Sequence, residues 1–228
     1  MAVIYLVRHG QASWGAKVYD KLSELGVRQS ARLGEALKQR LPRVDRVVRG
    51  SLVRHQETAD ACLAALGTDA PVEVDARWNE YDHRDLLERH KPAYRSRILM
   101  NFDLVRTGNP RRAFQNVFDQ ALVRWLEGGD DYREPWAAFS QRACGALADL
   151  AAGLDSAQTA LVFTSGGPIS AVAANLLQGG ADTWLSLNRV AINTGVTKVV
   201  IGRRGTTLVT YNDHAHLEGA ERELLTYR

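Results

Sequence analysis

The chain has 228 residues, 45% of them hydrophobic and 24% charged, with a formal net charge of +3. That length allows one large domain or two small ones, and the composition is ordinary for a protein that buries a full core. No apolar run approaches the ~18–20 residues of a membrane span, and no Lys/Arg block interleaved with aromatics marks a nucleic-acid surface, so neither partner is expected.

The opening MAVIYLVRHG is too short and too soon charged for a secretory signal. It reads as a strand over residues 2–7 that ends in a charged, glycine-containing loop. Leu33, Leu37 and Leu41, with Ala36 beside them, space a helix over 24–41 that Pro42 closes. A short strand is predicted at 44–48, a helix at 52–66 and another brief strand at 71–74. From Glu80 to about Glu134 the chain is rich in Arg, Asp and Asn and looks helical in pieces, which predicts a helical cap insertion at about 82–134 within a single domain spanning 1–228. A long amphipathic helix follows at 136–154, then a buried strand at 159–164 that runs into Gly166-Gly167-Pro168 and a further helix. Residues 196–201 and 206–211 flank Gly-Arg-Arg-Gly as a hairpin. The strand–helix alternation predicts an α/β fold, a parallel sheet covered by helices.

Cys62 and Cys144 are far apart in Ala- and Leu-rich helical stretches, so buried free thiols and a reducing cytoplasm are expected. Trp125, Trp136 and Trp184 fall in helical patterns and read as packing residues; Trp14 reads as a lid or packing residue. No His/Cys/Asp/Glu cluster has metal-ligand spacing, and neither metal nor cofactor is expected. The mild positive charge suits a small anionic substrate.

The first strand ends in Val7-Arg8-His9-Gly10. In open α/β sheets ligands bind outside the carboxyl ends of the strands. An imidazole there can attack phosphorus and carry the phosphoryl group covalently, the guanidinium of Arg8 offers a planar fork for phosphate oxygens, and Gly10 lets the backbone turn. A histidine at a strand end is also a common structural residue. Arg54, in the first turn of the helix after the second strand, reads either as a solvated helix residue or as a second phosphate ligand on the same edge of the sheet. Glu80, after the third strand, reads either as a surface carboxylate or as a proton donor to a leaving group. His55 and His90 read as exposed helix residues without a role.

The segments LVRHGQAS, YDKLSELGVRQSARLGEAL and SLVRHQETA, then RWNE, VFTSGGPIS and YNDHAHL, resemble the histidine phosphatase superfamily, whose best-known branch is the cofactor-dependent phosphoglycerate mutases. The resemblance covers nearly the whole chain and is weakest between about Asp82 and Tyr132. It implies a three-layer α/β/α sandwich with a mostly parallel sheet. It further implies that His9 is the phosphoryl acceptor, that Arg8 and Arg54 bind phosphate, and that Glu80 is the acid–base residue.

The chain departs from that pattern at Ser165, where relatives usually carry a second histidine directly before Gly-Gly. A serine hydroxyl donates one hydrogen bond and carries no charge. The expected site is therefore His9 and Glu80 for the chemistry and Arg8, Arg54 and Ser165 for phosphate, with Gln11, Ser13, His83 and Gly166 as further possible members. Gln11 and Ser13 would supply hydrogen bonds; His83, or less readily His214, would supply a second imidazole. His216 matches a position that relatives with both usual histidines also have. The resulting expectation is a phosphomonoesterase acting through phosphohistidine on a small phosphorylated substrate. Alternatives are a phosphate-binding or regulatory protein with a weakened site, and a sugar-phosphate mutase. Substrate identity and oligomeric state stay open.

Overall fold

The computed structural model describes residues 1–13, 20–129 and 131–227. Trp14 lies outside the described residues. The chain divides into two compact units, one formed by Met1–Glu80 with Arg142–Arg228 and the other by Tyr81–Gln141.

Among the described residues of the first unit, six strands form one sheet in the order β3-β2-β4-β1-β5-β6. They are β1 (Ala2–Arg8), β2 (Arg46–Arg49), β3 (Val72–Val74), β4 (Thr159–Thr164), β5 (Val196–Gly202) and β6 (Gly205–Asp213). The pairs β3/β2, β2/β4 and β4/β1 are parallel, while β1/β5 and β5/β6 are antiparallel. The expected α/β architecture with a mostly parallel sheet is present. The strand expected at 44–48 starts and ends slightly later, at Arg46–Arg49.

Period-two alternation sends successive side chains of each strand to opposite faces. Tyr5 and Val7 of β1, Val47 of β2, and Leu161 and Phe163 of β4 pack with Leu33 and Leu37 of α1 (Glu24–Arg40) and with Cys62, Leu63 and Leu66 of α2 (Val53–Leu66). Each fully buried Leu or Phe stabilises the fold by roughly 1.5–3 kcal/mol. The other face carries α7 (Gly166–Leu176), which packs against β1, β6 and α8 (Ala181–Val190). Helices following the adjacent strands β1 and β4 thus leave toward opposite faces, which opens a crevice at the carboxyl ends of those two strands.

The second unit is helical: α3 (His83–His90), α4 (Arg97–Val105), α5 (Pro110–Leu126) and the start of α6 (Trp136–Ala152), within which the chain returns to the first unit. Asp82 caps α3 by accepting from the backbone N–H groups of Arg84 and Asp85. The ring of Tyr81 lies 5.2 Å from Trp125 and 5.7 Å edge-on from Phe139. Trp125 and Trp184 are buried, as expected, whereas Trp136 is half-buried. Two further expectations need correction. Cys144 is half-buried, because it lies on the flank of α6 while Ala143, Ala146 and Leu147 take the inner positions; Cys62 alone is a buried thiol. His90 is half-buried at the end of α3, not exposed.

Candidate active site

The register Arg8↔Thr164 between parallel β1 and β4 brings the next residues, His9 and Ser165, side by side at the carboxyl edge of the sheet. Their backbones are tied there. His9 N donates to Thr164 O (2.9 Å), and Arg8 N donates to Gly195 O (3.1 Å) on the β5 side. Asn193 Nδ2 donates to His9 O (3.0 Å), and Thr194 N donates to Arg8 O (3.1 Å). The imidazole of His9 therefore projects from a backbone held on both sides.

His9 is 7% exposed. Its Nδ1 lies 2.7 Å from Gly10 O. A carbonyl can only accept, so Nδ1 carries the proton and Nε2 keeps its lone pair. Burial holds the His9 pKa well below the usual imidazole value of 6.5, and the positive charges of Arg54 and Arg8 push the same way. The ring is thus neutral and oriented at neutral pH, with a nitrogen lone pair that could act as a nucleophile.

Arg54 sits in the first turn of α2, with Nη1 donating to Asp20 Oδ1 at 2.6 Å. Its Nε is buried with no hydrogen-bond partner among the described residues. Asp20 Oδ2 accepts from Val53 N (2.8 Å) and so caps α2, whose own N-cap residue is Leu52. Thr58, one turn on, accepts from Gly10 N (3.0 Å) and donates to Arg54 O (2.6 Å), coupling the Gly10 loop to α2. Arg8 is buried and donates from Nη1 to Ala191 O (2.5 Å).

Ser165 is the N-cap residue of α7, and Gly166 is the first residue of that helix. Gly167 N donates to Glu80 Oε2 at 3.2 Å. Glu80 is held there because the turn Ala76–Trp78 is tied to β4, with Thr164 Oγ1 donating to Trp78 O (2.5 Å). Trp184 Nε1 donates to Gly167 O (3.0 Å), which fixes the helix start from the α8 side. Residues from the ends of β1 and β4, the start of α2, the start of α7 and the turn after β3 thus converge on one crevice.

Of the residues singled out in the sequence, His9, Arg8, Arg54, Glu80, Ser165 and Gly166 lie around this edge. Gln11 and Ser13 belong to the loop beside it: Gln11 Oε1 accepts from Ser23 Oγ (2.9 Å), and Ser13 Oγ donates to Lys21 O (3.1 Å). His83 is exposed and opens α3 in the second unit. His214 faces Asn212 O through Nδ1 (2.7 Å) and Glu218 through Nε2 (3.7 Å). The reading of His55 as an exposed helix residue is wrong. Its side chain is 0% exposed, because the apolar stripe of α2 (Thr58, Ala59, Cys62, Leu63, Leu66) continues back one turn onto it, and its Nε2 lies 2.7 Å from Ser165 Oγ. Thr58 and Asn193 also went unnoticed; extending the i, i+3, i+4 stripe would have found Thr58. Among the described residues, no group of three or more His, Cys, Asp or Glu side chains is placed to hold a metal ion.

Known proteins share this arrangement of strands. Over 102 residues the chain is 34% identical to a 2,3-bisphosphoglycerate-dependent phosphoglycerate mutase of Nitrobacter hamburgensis and 33% identical to one of Nitrobacter winogradskyi; the match takes in 42% of this chain and about half (49%) of the length of each relative. The fold matches that of Bacillus stearothermophilus YhfR at a TM-score of 0.67, with 19% identity over 96% of this chain and 100% of the other. It matches a phosphoserine phosphatase of Entamoeba histolytica, solved in complex with 3-phosphoglyceric acid, at 0.66, with 19% identity over 95% and 100% of the two chains. A mycobacterial glucosyl-3-phosphoglycerate phosphatase matches at 0.62, with 20% identity over 93% and 99%. The family description fits residues 4–214, which include each residue around the crevice and all of the sheet but the first two residues of β1, so the chain belongs to the histidine phosphatase superfamily (branch 1).

Proposed function

We propose that the protein is a phosphomonoesterase that works through a phosphohistidine at His9. The observation that carries this reading is the hydrogen bond from His9 Nδ1 to Gly10 O, which leaves Nε2 with its lone pair in a ring kept neutral by burial and by two guanidinium groups. In the first step Nε2 attacks phosphorus, the ester P–O bond breaks, and the departing alcohol takes a proton from Glu80. Arg8 and Arg54 offset the charge on the phosphoryl oxygens. In the second step water attacks phosphorus, the P–N bond breaks with its electron pair returning to Nε2, Glu80 takes a proton from the water, and inorganic phosphate leaves with His9 restored. Small phosphorylated metabolites are the proposed substrates, in keeping with the phosphoserine phosphatase and glucosyl-3-phosphoglycerate phosphatase among the related folds.

The test is acid-quench and base-quench labelling during turnover of para-nitrophenyl phosphate. A base-stable, acid-labile phosphoryl group on His9 and steady release of inorganic phosphate are expected, both lost in His9→Ala. Undiminished turnover in that variant overturns the reading. Transfer of phosphate within a phosphorylated acid, without release, would favour mutase chemistry like that named for the Nitrobacter relatives. Binding of phosphorylated ligands with neither label nor release would favour a binding protein.

A further inference from the structure

The buried stripe of α2 ends in an imidazole. The centroid of the His55 ring stands 5.8 Å from that of His9, with the planes tilted by 40°. Nε2 of His55 lies 2.7 Å from Ser165 Oγ, and Nδ1 is buried with no hydrogen-bond partner among the described residues. Nδ1 faces the backbone at Gly50, where a Cβ would sit 2.3 Å from it. Gly50, directly after β2, thus leaves the space this ring occupies.

A neutral imidazole has one N–H. A buried N–H without an acceptor costs more than an unfilled lone pair, so the proton belongs on Nε2, aimed at Ser165 Oγ. The ring stays neutral because burial, then the charges of Arg54 and Arg49, hold its pKa well below 6.5. Ser165 Oγ therefore accepts from His55, and its own proton has to point elsewhere. Nor is the hydroxyl oxygen committed to the helix. Ser165 occupies the N-cap position of α7, for which serine is among the best residues, yet its side chain accepts no capping hydrogen bond. Ser165 also stands beside His9 at the ends of two paired strands.

We propose that His55 is a positioning residue for Ser165: by donating from Nε2 to Oγ it turns the serine hydroxyl proton toward the phosphoryl group passing between substrate and His9. The inference rests on the phosphohistidine reading above. No proton moves along the pair; His55 donates to Ser165, and Ser165 donates to a phosphoryl oxygen. A freely rotating hydroxyl becomes a fixed donor at a developing anion. The reverse arrangement, in which His55 accepts and Ser165 becomes a nucleophile, would leave an N–H at Nδ1 buried without an acceptor.

Two near-isosteric replacements test this. His55→Gln keeps an N–H donor for Ser165, and His55→Met does not. With para-nitrophenyl phosphate, Ser165→Ala is expected to lower kcat by about 10²-fold, as loss of a preorganised donor does. His55→Met is expected to lower it by about 10- to 100-fold with KM changed less than about threefold, and His55→Gln to stay within about threefold of wild type. The double variant Ser165→Ala/His55→Met is expected to be no slower than Ser165→Ala alone, since the two residues act through one hydroxyl. A purely structural His55 would instead lower melting temperature and activity in both replacements and add its loss to that of Ser165→Ala. Full activity in His55→Met, additive losses, or a base-labile phosphoryl group on Ser165 would overturn the inference while leaving His9 labelling, and so the proposed function, intact. Full activity in His9→Ala would remove both. Should His55→Met fail to fold, Ser165→Ala made within the His55→Gln variant decides: a cost below about threefold there overturns the proposal.

Discussion

Nδ1 of His9 is fixed on Gly10 O at 2.7 Å, so the nitrogen that faces the crevice is the one without a proton. Burial first, then Arg54 and Arg8, hold that ring well below its ordinary pKa of 6.5. Acidification through the usual imidazole range should therefore not protonate the nucleophile. The rate of phosphoryl transfer onto His9, measured by rapid quench in a single turnover, is expected to show no inflection near 6.5 between about pH 8 and about pH 5.5. An acid limb centred at the ordinary value would mean that neither burial nor the two guanidinium charges act on His9 as the geometry requires.

Among the described residues, Asp20 is an anionic partner of Arg54 that would compete with a bound phosphate. Arg54 Nη1 is engaged by Asp20 Oδ1 at 2.6 Å, and Asp20 Oδ2 is engaged by Val53 N at 2.8 Å. Asp20→Asn keeps an acceptor for Val53 N while removing the negative charge. Inorganic phosphate is expected to inhibit that variant more tightly, by a few-fold, in line with ~1 kcal/mol for a partly exposed pair. Arg54→Lys loses the planar fork and is expected to weaken phosphate inhibition by about tenfold or more. Phosphate inhibition constants that are the same in all three proteins would place Arg54 outside the anion site.

The sheet was legible because its strands announce themselves: AVIYLV runs straight into Arg8-His9-Gly10, and Leu33 and Leu37 repeat at one helical turn. The same logic put His9 and Ser165 at strand ends, since each follows an apolar run and precedes glycine. His55 was not legible in the same way. A polar residue next to Arg54 counts against burial in any periodicity argument, and what satisfies it is Ser165, 110 residues away. Asn193 escaped for the same reason, since its bond to His9 O spans 184 residues. Local pattern carries the scaffold, whereas the second layer around the site depends on partners that only the folded sheet brings together.

Gly10 does more than turn the chain. A Cβ at this position would lie 2.4 Å from Gly26 O and 2.9 Å from Ser30 Oγ, and the first of these is backbone that cannot swing aside. Gly10→Ala must push α1 away from the loop that bears His9. Overpacking of this kind costs about 1–3 kcal/mol, and at about 2–4 °C per kcal/mol for a chain of this size the melting temperature is expected to fall by about 2–12 °C. Because Gly10 O is also the partner of His9 Nδ1, turnover should fall in the same variant. An unchanged melting temperature would contradict the close approach of the two backbones.

His216 ties acid stability to Thr194, whose N–H holds the backbone of Arg8. Thr194 Oγ1 donates to Asn193 O at 2.7 Å, so its contact with His216 Nε2 at 3.0 Å must be a bond donated by the ring. Nδ1 of His216 is then the bare nitrogen, buried and without a hydrogen-bond partner among the described residues. Protonation would create an N–H there with nothing to receive it, and burial lowers the His216 pKa from 6.5 to about 4. The unfolded chain, with an ordinary histidine, binds its proton first as pH falls, so the unfolded state is favoured progressively between 6.5 and about 4. This one group should remove roughly 3 kcal/mol of stability across that window and none above it. His9 and His55 are shifted in the same direction and add to the loss. Urea unfolding of wild type and His216→Asn at about pH 7.5 and about pH 5 separates the contributions: the variant should lose less stability on acidification than wild type does. Equal losses in the two proteins would show that His216 titrates normally in the folded state.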